Sequence, residues 1–78
     1  MNPLYESKYL QLGLKIAYYR KLRGLTQEQL AEKIERTPAF IGHVEAPNIC
    51  KAISLDTLFD ISKELNIPTY KFFIFEDE

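Results

Sequence analysis

Two helix-start signals, Thr26 with Gln29 and Thr37 with Pro38, stand so close together that the helix between them must be short and the turn after it tight. Thr followed three residues later by Gln is a capping box, in which the Thr oxygen and the Gln side chain each reach an unpaired backbone N–H. Thr37-Pro38 is a second start, a capping hydroxyl followed by proline at the first helical position. Between them Leu30, Ala31 and Ile34 recur at helical spacing, and the small Ala31 lets another helix approach closely. Upstream, Gly24 follows Arg20-Lys21-Leu22-Arg23. A glycine just past cationic residues is a helix stop, with the cations set against the negative end of the dipole. The chain between residues 20 and 45 is therefore a helix end, a short capped helix, a sharp bend and a second capped helix.

A chain of 78 residues is long enough for one domain and no more. At this length only about 60% of the unfolded surface is buried on folding, so the core must be efficient. The expected domain is 1–78, with a core over about residues 10–73, an N-terminal arm over 1–8 and an acidic tail over 74–78. No apolar run approaches the roughly 18 residues of a membrane span, and Met1-Asn2-Pro3-Leu4 has no signal-peptide character. A cytoplasmic protein is the expectation. One cysteine, Cys50, and one histidine, His43, supply neither an internal disulfide nor a metal cluster; Cys50 reads as a packing residue and no cofactor is expected. The net charge of −1 argues against avid non-specific binding to nucleic acid. Its distribution softens that argument, because Glu76, Asp77 and Glu78 close the chain and the other 75 residues hold ten basic and eight acidic groups.

The first helix is expected over residues 7–23 with two apolar stripes. Leu12, Ile16 and Tyr19 form one; Leu10, Leu14, Tyr18 and Leu22 form another nearly opposite. A small domain needs only one core face. The second stripe is covered by the N-terminal arm with Leu4 and Tyr5, or by another subunit, or it is simply exposed. The second and third helices are expected over 27–34 and 38–45, and Ala46-Pro47 ends the third. A loop over 47–53 leads to Ser54, which caps a fourth helix with an apolar face of Leu55, Leu58, Phe59, Ile61 and Leu65. After Asn66-Ile67-Pro68, a short fifth helix over 69–73 places Phe72, with Tyr70 or Phe73, in the core.

The Leu25-Thr26-Gln27-Glu28-Gln29-Leu30-Ala31 block and the Ile41-x-x-Val44-Glu45 block, with Arg20 before them, resemble the phage repressor and Cro type of helix-turn-helix domain, the xenobiotic-response-element family of regulators. The likeness runs over roughly residues 10–73. It implies an all-α fold, a compact five-helix bundle of the lambda-repressor-like type with the helix-turn-helix at the second and third helices. It also implies a phosphate contact from Gln27 and a partly buried ion pair between Arg20 and Glu45, 25 residues apart, tying the first helix to the third.

By that resemblance Pro38, Ala39 and His43, with Phe40 and Gly42 beside them, face DNA, while Ile41 and Val44 point inward. Such positions usually carry side chains that pair bidentately with base edges in the major groove; here base contacts would fall to Pro38, Ala39, Phe40 and His43, mostly as apolar contacts with thymine methyls. Phe40 either projects outward or leans back on the second helix, and His43 either touches DNA or is solvated. Gly42, costing near 1 kcal/mol in a helix relative to Ala, marks either a close approach or tolerated drift. Backbone contacts are expected from Thr26, Gln27, Arg36, Thr37, Asn48 and Lys51. Glu35 stands where the family usually has glycine, so the turn is either strained or built differently. Arg36 replaces a small apolar residue.

The leading reading is a DNA-binding transcriptional regulator acting as a homodimer on double-stranded DNA, with the subunit contact drawn from Leu10, Leu14, Tyr18, Ile74 and Phe75. The other is a degenerate domain that binds protein, suggested by Pro38-Ala39-Phe40. No glycine-rich phosphate loop or nucleophile arrangement points to an enzyme.

Overall fold

The computed structural model describes residues 2–75, and the expectation for Glu76, Asp77 and Glu78 lies outside them. Four α-helices follow in order: α1 Glu6–Leu22, α2 Gln27–Lys33, α3 Pro38–Glu45 and α4 Leu55–Leu65. Short 3-10 helices, Pro3–Tyr5 and Thr69–Phe73, flank them. The expected fifth α-helix is thus a 3-10 turn. Its five residues, starting after Pro68, allow i to i+3 bonds such as Lys71 N–H to the Pro68 carbonyl at 3.0 Å and give no room for an α ladder. None of the helices of the described residues is long and apolar enough to cross a membrane.

Local chemistry sets the helix ends. The Thr26 hydroxyl accepts from Gln29 N–H at 3.0 Å while the Gln29 side chain accepts from Thr26 N–H at 2.8 Å, the complete capping box. Thr37 caps α3 through Phe40 N–H and Ser54 caps α4 through Thr57 N–H. At their C-termini, α1 and α2 close with the same pair of bonds. After α1 they run from Gly24 N–H to Lys21 and from Leu25 N–H to Arg20; after α2, from Glu35 N–H to Glu32 and from Arg36 N–H to Ala31. This double closure needs one left-handed residue. Gly24 supplies it at φ 74°, and Glu35 supplies it at φ 57°. Asn66, at φ 54°, ends α4. Asn tolerates the left-handed region, whereas Glu35 holds it at a cost of roughly 1 kcal/mol.

The core joins Leu12 and Ile16 of α1 with Leu30, Ala31, Ile34, Ile41 and Val44 of the central pair, Leu58, Ile61 and Leu65 of α4, and Ile67 and Phe72. Phe72 is fully enclosed and meets Tyr19 edge to face at 5.3 Å. Neither Tyr70 nor Phe73 joins it; they are 63% and 47% exposed, because a three-residue turn points only every third side chain inward. Leu55 and Phe59 are also exposed, so the buried stripe of α4 is narrower than its apolar residues suggest.

The two stripes of α1 part company. Leu12 and Ile16 are buried, whereas Leu14 and Tyr18 are 50% and 58% exposed and Leu22 is open as well. The arm does not cover them: Leu4, in the first 3-10 helix, is itself 80% exposed. One helix position escaped the sequence reading. A Cβ on Gly13 would sit 1.9 Å from the Val44 carbonyl oxygen, so α1 and α3 cross in backbone contact there. Gly13 lies on the same face as Ile16 and Arg20, which is the signal that could have found it.

Candidate nucleic-acid interface

Arg20 ties α2 and α3 to the rest of the domain. Its Nε and Nη2 donate to the two carboxylate oxygens of Glu45 at 2.7 and 2.8 Å, and its Nη1 donates to the Leu25 carbonyl at 2.6 Å. Both side chains are more than nine-tenths buried. A bidentate fork of this kind fixes orientation as well as distance. The end of α3 is thereby locked to the end of α1 and to Leu25, just before the Thr26 cap of α2. Gln27, at the first position of α2, donates its side-chain amide to the same Glu45 carboxylate at 3.1 Å. The expected phosphate ligand is therefore tied inward through that nitrogen.

The outward surface of the pair is built from helix starts. Thr26 and Thr37 stand at the caps of α2 and α3, both exposed. Each hydroxyl oxygen accepts a backbone N–H, which leaves its hydrogen to donate to an anion. Pro38, Ala39 and His43 are exposed on α3, while Ile41 and Val44 are buried as expected. Asn48 and Lys51 are exposed in the loop before α4. Gly42 needs no close approach within the domain: a Cβ there would meet only the Gln27 Oε1 at 3.6 Å, an ordinary contact.

Phe40 neither projects outward nor lies free. It is half-buried against the core, and the Arg36 guanidinium sits 3.8 Å from its ring centroid. Lys51 approaches the same ring at 5.7 Å. Arg36 also reaches Thr57 in the first turn of α4, Nη1 to Oγ1 at 3.4 Å. The cation in the turn and the cation in the loop thus converge on one aromatic side chain of α3, an association that the sequence reading did not make. Cys50, half-buried in that loop, points its thiol toward the Glu6 carbonyl. Among the described residues no three His, Cys, Asp or Glu side chains are grouped to hold a metal ion.

Two capped helices at a fixed angle, their ends pinned by a buried Arg–Glu fork, define an architecture found in many DNA-binding proteins, and a helix-turn-helix family profile matches residues 16–72. The chain belongs to the helix-turn-helix family, of the phage repressor and Cro type. As a member it is a DNA-binding transcription regulator and not an enzyme. No curated protein matches the sequence. Among solved structures, the helix-turn-helix chain is similar to the restriction-modification controller protein C.AhdI from Aeromonas hydrophila. The two share 23% identity at a TM-score of 0.80, over 88% of this chain and 97% of the other. At that identity the likeness speaks for the fold, four helices and a terminal turn in the same arrangement.

Proposed function

We propose that this protein is a sequence-specific transcription regulator that binds double-stranded DNA in the cytoplasm as a homodimer, with α3 in the major groove and α2 against the backbone. The observation that carries this reading is the pinned α2–α3 pair with Pro38, Ala39 and His43 exposed on one side. Direct readout then rests on His43 and on contacts of Ala39 and Pro38 with thymine methyls, which is a thin code. Positioning rests on the hydroxyls of Thr26 and Thr37, the backbone at Gln27, and Arg36, Asn48 and Lys51.

One recognition helix spans few base pairs, so a two-fold pair of subunits on a symmetric site is the natural assembly. The uncovered face of α1 supports it: Leu14 and Tyr18 lie nearly opposite the Gly13, Ile16 and Arg20 side that packs on α3. Half-buried Leu10, one turn before Leu14, and half-buried Phe75, which lines a groove with Leu14 and Tyr18, extend that face. Subunits meeting there keep both copies of α3 free. Selection of bound fragments from random duplex DNA tests the proposal. An enriched inverted repeat with half-sites about one helical turn apart is expected; recovery of no preferred sequence counts against specific readout, and a single unrepeated half-site counts against the dimer. Failure to retain any duplex would leave the exposed Pro38-Ala39 surface as a protein-docking face.

A further inference from the structure

Arg36 and Lys51 come from different segments, the turn after α2 and the loop before α4, yet both charges lie within 5.7 Å of the Phe40 ring centroid. Neither forms an ion pair with a described residue. Two like charges brought to one ring repel each other by up to about 1 kcal/mol where water surrounds them, and the ring quadrupole, at about 0.5–1 kcal/mol per exposed cation, holds them there against it. Arg36 also reaches the first turn of α4, where the helix dipole disfavours a cation; Asp56 in that turn is exposed and makes no ion pair with it. An anion seated between the two cations attracts both and outweighs their mutual repulsion.

We infer that Phe40 is the platform of a phosphate clamp: its ring holds Arg36 and Lys51 in place to grip one phosphodiester of the DNA backbone beside α3. The inference rests on the DNA-binding reading and gives Phe40 a different task within it. The ring does not read a base. It orders two long side chains before DNA arrives, so that less rotamer freedom is lost on binding, and it holds them near the start of α3, whose capping residue Thr37 is exposed. The occupant is a phosphodiester because the site offers two positive charges, one of them a fork-shaped set of donors, and the Arg36 guanidinium already lies over the Phe40 ring. A positively charged patch built this way compensates for a chain whose net charge is −1.

The test is a thermodynamic cycle on the full chain, using a mixed-sequence duplex at several salt concentrations. Arg36→Ala and Lys51→Ala are each expected to weaken binding and to lower the salt slope by about one unit, and, because they share one phosphate, to lose together less than the product of their separate losses. Phe40→Leu, which keeps an apolar side chain against the core, leaves the salt slope unchanged and weakens binding by about 2- to 5-fold, the equivalent of 0.5–1 kcal/mol. In the Arg36→Ala, Lys51→Ala background the Phe40→Leu change has no effect on affinity, while melting curves confirm that all variants fold. Persistence of the Phe40→Leu loss in that background, or its dependence on a single base pair, overturns the clamp while leaving the DNA-binding reading intact. A wild-type chain that binds no duplex at low salt overturns both.

Discussion

Removing Arg20 is the perturbation whose size the structure sets most clearly. The side chain makes three short charge-assisted bonds, two to Glu45 and one to the Leu25 carbonyl. Its loss in Arg20→Ala leaves the Glu45 carboxylate buried with the Gln27 amide as its remaining side-chain donor. Breaking a buried pair in this way costs roughly 3 to 5 kcal/mol, most of it the burden of an uncompensated charge. A domain of this length has a total stability of about 4 to 12 kcal/mol, so the variant is expected to lose at least about 12 °C in Tm and to be partly unfolded near physiological temperature. Lys21→Ala, one residue away and exposed, is expected to change stability by about 0.5 kcal/mol or less. Urea and thermal unfolding followed by circular dichroism measure both. Adding Glu45→Gln to Arg20→Ala removes the stranded charge and recovers part of the loss. Raising the salt leaves the difference between Arg20→Ala and Lys21→Ala standing, since a buried pair is poorly screened. Equal destabilisation by the two alanine variants, or a difference abolished by salt, would refute the argument.

Three further outcomes follow from the backbone and the uncovered surface. Glu35→Gly, at φ 57°, is expected to raise stability by about 1 kcal/mol, whereas Glu35→Ala gives no such gain; denaturant midpoints compare them, and a Gly variant that melts lower contradicts the strained turn. Gly13→Ala drives a methyl into the Val44 carbonyl and should cost about 1 to 3 kcal/mol or more, although alanine is the better helix former; a neutral or stabilised variant would show that α1 and α3 are further apart. The pair Leu14→Ser and Tyr18→Ser should shift sedimentation from dimer to monomer and weaken DNA binding while the monomer melts nearly unchanged, both side chains being half-exposed in it. Unaltered sedimentation would place the subunit contact elsewhere.

What was legible in the sequence was what neighbours along the chain decide. Thr26 with Gln29, Thr37 with Pro38, Ser54 and Gly24 write their own hydrogen bonds within a few residues, so helix starts and the tight turn followed from residue identity. Glu35 was legible as an anomaly, and it takes the left-handed angle rather than prolonging α2. The Arg20–Glu45 fork came from the resemblance, since no local rule joins residues 25 apart. Where the reading stopped short, tertiary placement decided. The apolar surplus of α1, α4 and the terminal turn did not reveal which residues stay outside, because Tyr70, Phe73, Leu55 and Phe59 are as apolar as their buried neighbours. The sequence allows Phe40 two orientations. Its cover, Arg36 and Lys51, arrives from two segments that only the folded chain brings together. Gly13 stands mid-helix, and its role is hidden from the local sequence because its partner is a carbonyl on another helix.

The most direct measurement is a titration of the isotope-labelled chain with a duplex at low salt, followed by backbone and side-chain amide NMR. Shifts are expected at Thr26 to Glu28, at Thr37 to His43 and around Arg36 and Lys51, with the buried core unmoved. Shifts confined to the Leu14 and Tyr18 face of α1, or none anywhere while the domain stays folded, would contradict it.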